Sequence, residues 1–229
     1  MMHARVTAVA MVAALLLHTP SLRAQQPSAE AQRLRETTAI FGEIMAAEDK
    51  AIPRAILGKA AGIAILPSTV KVGLGIGGMR GRGVLSARGT NGWSAPAFLT
   101  LTGGSFGLQI GAQATDIILV ISDRRGVENL VRNQFKLGAD ASVAAGPVGR
   151  DAQAATDLQM RAQILSYSRA RGLFAGVTVN GSTVRQDRDA NERFYGQRLE
   201  MRQIVLDGAV QRPPSPVSAW LEALTRFAR

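Results

Sequence analysis

The chain contains no cysteine, and its only two histidines, His3 and His18, lie in the N-terminal stretch that reads as a removable leader. Those are the side chains that titrate or turn nucleophilic most readily near neutral pH. Serine–histidine and cysteine–histidine catalysis and ordinary zinc sites are therefore excluded. Disulfides are excluded too, so the core must carry the stability alone. Aromatic residues make up only 5% of the chain, too few for a base-stacking surface. Beyond the leader there is no second long apolar run.

Arg5 is followed by an apolar run from Val6 to Leu17, and Leu22-Arg23-Ala24 places a small residue just before Gln25. That order of positive, apolar and small-residue segments is the pattern of a secretory signal peptide. The run is too short to span a bilayer. The sequence thus predicts a signal peptide at 1–24, cleavage near Ala24, a single domain at 25–229, and a periplasmic or secreted product.

Lys and Arg number 27 against 17 Asp and Glu, a net charge of +10, and loss of Arg5 and Arg23 with the leader leaves +8. Such an excess favours anionic partners, and export argues against nucleic acid among them. Nearly all of it is arginine, the side chain suited to bidentate phosphate contacts.

Ala31, Leu34, Thr38, Phe41 and Met45 recur at helical spacing, so 29–47 reads as an amphipathic helix with Ser28 as its N-cap. Its Arg33 and Arg35 are offset by Glu30, Glu36 and Glu43, which favours packing on a core over lying on a membrane. Pro53 opens a second short helix reaching Lys59. Beyond Gly62 the period becomes two-fold. Val72, Leu74 and Ile76 alternate with glycines, as do Phe106, Leu108 and Ile110 with Gly107, Gln109 and Gly111, giving strands with one apolar and one bare face. Repeated glycine in strands signals close approach by another backbone, or a ligand against the bare face. Further strands are expected at 82–88, 95–102, 117–121, 139–146, 157–168 and 172–179, and a short helix over 126–133. Asn180-Gly181 signals a hairpin. A short helix within 187–195 and helices at 198–207 and 217–227 complete an α+β domain: an antiparallel β-rich sheet, curved or barrel-like, with helices at both ends.

Gly73 to Gly78 imitates a dinucleotide fingerprint, but the strand alternation continues where a helix would have to open, so no cofactor is expected. Gly146-Pro147-Val148-Gly149-Arg150 is a tight turn presenting an arginine to a phosphate or a carboxylate. Asp116, Asp123, Asp140, Asp151 and Asp157 lack calcium-loop spacing, so no metal is expected. No base or nucleophile is placed beside them either, which leaves no catalytic residue to nominate.

Several linked motifs resemble the SYLF domain family. They are Ile52-Pro53 with Lys59-Ala60-Ala61-Gly62, Trp93-Ser94-Ala95-Pro96, Gly107 with Gln109-Ile110-Gly111, and Gly146 to Arg150. Ser168, Arg171-Gly172-Leu173-Phe174-Ala175-Gly176, and Asn191 with Phe194-Tyr195-Gly196 continue the series. The resemblance spans about 28–227. It implies a non-catalytic module that binds anionic lipid, as eukaryotic members bind phosphoinositides and, in yeast, actin filaments. Lys50, Arg54, Lys59, Lys71 and Arg150 are the expected headgroup contacts. The alternative expectation is a periplasmic scaffold or chaperone-like protein that holds another protein.

Overall fold

A computed structural model describes residues 27–47, 51–149, 161–170 and 173–228, for 74–76 and 105–111 the backbone only. The leader, Lys50, Arg150, Arg171-Gly172 and the first part of the strand expected at 157–168 lie outside the described residues.

Helix α1 (Ala29–Ala46) starts where the Ser28 hydroxyl accepts the Ala31 N–H at 3.1 Å, a side-chain cap for an otherwise orphaned donor. Helix α2 (Arg54–Lys59) begins directly after Pro53. Two long strands follow: β1 (Gly62–Gly89) and β3 (Ala97–Ile121), with the short β2 (Gly92–Trp93) between them. β1 and β3 pair antiparallel from Gly62↔Ile121 to Leu85↔Ala97, with register shifts at Leu66/Thr69 and Leu74/Gly75. The strands expected at 82–88 and 95–102 are therefore the closing ends of these two long strands. Interior glycines soften a strand without ending it, which is why sequence breaks at Gly77, Gly81 and Gly83 are not structural breaks.

The chain then forms α3 (Arg124–Leu130), β4 (Phe135–Lys136), β5 (Val143–Ala145), β6 (Ile164–Ala170), β7 (Leu173–Gly176) and β8 (Thr183–Gln186). Three helices close it: α4 (Arg188–Tyr195), α5 (Met201–Val205) and α6 (Pro216–Phe227). β6 pairs with the far end of β3 and β8 with its near end, all antiparallel, and the short β5 lies parallel to β6. The Asn180-Gly181 turn is present, with Gly181 at φ +79°, yet it does not join paired strands. β7 pairs with β6 whereas β8 pairs with β3 and β4, so the turn redirects the chain between two parts of the sheet.

The sheet curls into a half-barrel because β1 folds back on itself. The Arg88 N–H donates to the Ala61 carbonyl at 2.8 Å, which brings the end of β1 beside its own start. Ile63, Ile65, Val84, Phe98, Ile118 and Val120 pack outward against α1, α4 and α6. Ala64, Leu66, Leu85, Leu99, Leu119 and Ile121 pack inward with Phe135, Met201 and Ile204. Both faces of these strand ends are buried. Continuous apolar runs such as Ile63–Leu66 and Ile117–Ile121 follow from that, since neither face can be polar.

α6 crosses α1 through aromatic edges: Phe41 meets Trp220 and Phe227 at centroid distances of 5.9 and 5.7 Å. The buried Trp220 indole donates to the Ser86 hydroxyl at 2.9 Å. Trp220→Phe should cost about 1–3 kcal/mol, because a buried hydroxyl loses its partner while most apolar volume is kept. A urea denaturation midpoint checks this.

Candidate functional site

The described surface has an open groove of about 470 Å³ between α1 and the point where β1 crosses itself. Ala29, Gln32, Arg33 and Glu36 line one wall, the stripe that positions three, four and seven apart share on a helix. Pro67 and Ser68 form its floor, and Arg80, Gly81 and Arg82 the far wall. The volume suits a small ligand or a headgroup.

Ser68 sits at the first register shift of β1 with φ +47°, unusual for a residue with a side chain. Its N–H donates to the Asp116 carboxylate at 2.9 Å, and Asp116 also accepts from Arg169 Nε at 2.8 Å. Arg169 continues to Glu43 on α1. This chain of contacts fixes the turn that forms the groove floor. On the far wall Gly81 is obligatory, since a Cβ there would lie 2.2 Å from the Thr69 hydroxyl. Arg80 and Arg82, two apart on a strand, project from the same face, and both are exposed. Neither makes an ion pair or hydrogen bond with the described residues.

Arg33 lies deeper. One guanidinium nitrogen is 3.9 Å from Asp187, and the group stands 5.5 Å over the Phe98 ring. That same nitrogen is buried, without a hydrogen-bond partner among the described residues. Burial pushes the Arg33 pKa below its ordinary value; Asp187 opposes this, and the nearby Arg82 adds to it by repulsion. Glu36, the sole carboxylate of the groove lining, accepts from the Gln32 amide at 3.0 Å. The groove thus holds three guanidinium groups, two of them without a partner among the described residues and one imperfectly satisfied. An anion with several acceptor oxygens matches that donor set.

The residues expected from sequence are placed differently. Arg54 and Lys59 are exposed at the two ends of α2. The Gly149 N–H donates to the Ala51 carbonyl at 3.2 Å, which ties the Gly146–Gly149 turn to the chain entering α2. Lys50 and Arg150 adjoin that tie but lie outside the described residues. Lys71 stands apart on the β1–β3 ribbon, half-buried, its pKa pushed down by desolvation. Arg88, the remaining cation of β1, is structural: it donates to the Ala60, Leu57 and Ala228 carbonyls and stacks on Trp93 at 4.8 Å.

The carboxylates are occupied with architecture. Asp116 holds the Ser68 turn, Asp123 caps α3 by accepting from Gly126, and Asp140 accepts from the Lys136 N–H. Asp151 and Asp157 lie outside the described residues. Among the described residues, no three His, Asp or Glu side chains stand together as a metal site would require.

The motif residues also prove architectural. The Ser94 hydroxyl accepts the Ala87 N–H, the Asn191 carbonyl oxygen accepts the Phe98 N–H at 2.8 Å, and the Tyr195 hydroxyl donates to the Pro96 carbonyl. Gly146 lies against the buried Tyr167 ring, where a Cβ would come within 2.0 Å of its Cζ. Sequence reading missed Arg80 and Arg82, though a signal exists. From Lys50 to Thr115 there is no acidic residue, against seven basic ones.

A family model described as Ysc84, Las17-binding protein actin regulator, matches residues 102–227. Protein YSC84 of Saccharomyces cerevisiae is 36% identical over 171 residues, which is 73% of this chain and 36% of that protein. Human SH3 domain-containing YSC84-like protein 1 is 34% identical over 196 residues, 85% of this chain and 56% of that protein. The rat protein of the same name is 33% identical over 210 residues, 91% of this chain and 60% of that protein. The chain spans between about a third and three-fifths of the length of these curated relatives.

Proposed function

Because the chain belongs to the Ysc84 (SYLF) family, we propose that it is a non-catalytic binding module of the cell envelope whose ligand is the phosphate-bearing headgroup of an anionic lipid. The observation that carries this reading is the three-arginine groove. Arg33, Arg80 and Arg82 converge on a groove whose described lining carries one carboxylate, Glu36, while Asp187 stands 3.9 Å from Arg33. Guanidinium groups bind phosphate bidentately, and those of Arg80 and Arg82 are exposed. Arg54, Lys59 and Lys71, with Lys50 and Arg150 from the sequence, act as outlying cations that draw the protein to a negative surface. The leader pattern at 1–24 supports the envelope as the compartment.

Each basic group near an anionic surface contributes on the order of 1 kcal/mol. Three acting together give a preference of about 100-fold for anionic over neutral bilayers. The test is vesicle flotation of the purified protein on phosphatidylglycerol–phosphatidylcholine vesicles and on phosphatidylcholine alone. Flotation with the anionic vesicles at about 50 mM salt, lost at about 500 mM, is expected, because exposed charges are screened within a few ångströms at the higher value. Equal flotation with both vesicle types, or with neither, overturns the proposal. A single stoichiometric protein partner captured with no lipid would instead favour the scaffold reading.

A further inference from the structure

The two long strands leave the core as a ribbon of their own. β6 pairs only with 116–121 of β3, and β8 only with 99–102. Between those ends, residues 70–78 of β1 and 104–114 of β3 pair with each other and with no further strand among the described residues. Along this stretch the register sets Val70 opposite Ala114, Val72 opposite Ala112, Leu74 opposite Ile110 and Ile76 opposite Phe106. Val70 is 43% exposed and Val72 54%, and both alanines opposite them are exposed. The intervening positions face inward: Thr69 and Thr115 are buried, and Lys71 and Gln113 are partly so.

A soluble β-ribbon usually alternates apolar-in and polar-out. This one is reversed at its described pairs, with Val70–Ala114 and Val72–Ala112 outward. A contiguous apolar outer face marks an interaction surface.

Two features identify what covers it. First, the ribbon's feet are the walls of the arginine groove. β1 departs through Pro67 and Ser68 and returns through Arg80, Gly81 and Arg82. A headgroup held there brings its acyl chains beside the ribbon. Second, the charge is of one sign, with no carboxylate between Lys50 and Thr115. A second copy laid on this face would oppose Arg80 and Arg82 to their own like. An anionic bilayer satisfies the apolar face and the cations together.

We infer that the outer face of the β1–β3 ribbon, carrying Val70, Val72, Ala112 and Ala114, lies on the hydrocarbon boundary of an anionic bilayer while Arg33, Arg80 and Arg82 hold a headgroup. The inference rests on the headgroup reading and adds to it an apolar contact made by strands. Penetration is shallow. The ribbon's outer edges carry backbone N–H and C=O groups unpaired by any described strand, which are not tolerated in lipid and must stay at the hydrated headgroup level. The ribbon therefore lies in the interface plane and does not cross it.

The absence of cysteine makes the test direct. Val72→Cys and, as a control at an exposed position of α6, Ala219→Cys each carry one environment-sensitive fluorophore. With phosphatidylglycerol–phosphatidylcholine vesicles the probe at position 72 should shift to the blue and be quenched by lipids brominated near the headgroup, while the probe at 219 stays unchanged. A Val70→Asp/Val72→Asp variant should keep its thermal midpoint, since both side chains are exposed, and bind the same vesicles at least about tenfold more weakly. Vesicle binding with an unshifted probe at 72, or with equal shifts at 72 and 219, overturns the inference and leaves the headgroup reading standing. Absence of any binding to anionic vesicles overturns both. A blue shift without lipid, accompanied by a doubling of mass at higher protein concentration, assigns the face to a second copy instead.

Discussion

Gly83→Ala should lower the unfolding free energy by about 3 kcal/mol or more, the largest loss expected from adding one methyl group to this protein. A Cβ at position 83 would lie 2.1 Å from the Ile65 carbonyl oxygen and 2.8 Å from the Ile65 carbonyl carbon and Leu66 Cα. All three are backbone atoms of a buried strand, so no side chain can swing aside. This is where β1 passes over itself, and the half-barrel exists only because the two passes touch. A domain of this kind has a net stability of about 5–15 kcal/mol, so the loss is a large share of the total. The control is Gly42→Ala in α1, where nothing lies within 4 Å of the new methyl. There the same substitution should stabilise by about 0.5–1 kcal/mol through helix propensity. Chemical denaturation of both variants reads the contrast. Equal effects of one sign would mean that β1 does not cross itself at Gly83.

The second large effect concerns binding. Arg80→Gln/Arg82→Gln should weaken affinity for anionic vesicles about 30-fold, corresponding to about 2 kcal/mol for two cations that act on one site. Folding should survive, because both side chains are exposed and make no hydrogen bond with the described residues. Arg54→Gln/Lys59→Gln, at the ends of α2, should cost only about threefold as a loss of long-range attraction. Arg124→Gln should cost nothing, since Arg124 is paired with Glu128 at 3.1 Å on the exposed face of α3. Vesicle titrations at fixed low salt rank the three. Equal losses would assign binding to net charge alone.

Helix positions were legible in the sequence because their signals are local. Ser28 and Pro53 each stand at the helix start that their chemistry predicts, and the helix expected at 217–227 begins one residue earlier, at Pro216. The antiparallel β-rich α+β class was legible from the switch in period beyond Gly62. What escaped was long-range. Glycine spacing near 81–83 announces a close approach, and one occurs there, whereas Gly78 faces open space. Identical residues in one strand thus serve different ends, and only the crossing partner 18 residues earlier tells them apart. Arg80 and Arg82 escaped for the same reason. They meet Arg33 only after β1 has bent back across α1, and no local pattern encodes that bend. Arg33 itself reads as a cation neutralised on a mixed helix face. In the fold, Glu30 is taken by Arg193 at 2.8 Å and Glu43 by Arg169, which leaves Arg33 with a distant Asp187.

The central claim is that one groove, and not the overall positive charge, receives the anionic headgroup. It is tested most directly by titrating the protein with a water-soluble, short-chain anionic phospholipid while following the arginine side-chain N–H signals by NMR. Saturable shifts at Arg33, Arg80 and Arg82, ahead of all other arginines, are the predicted result. Shifts of similar size at Arg124, Arg202 and Arg226, or none in the groove, would contradict it.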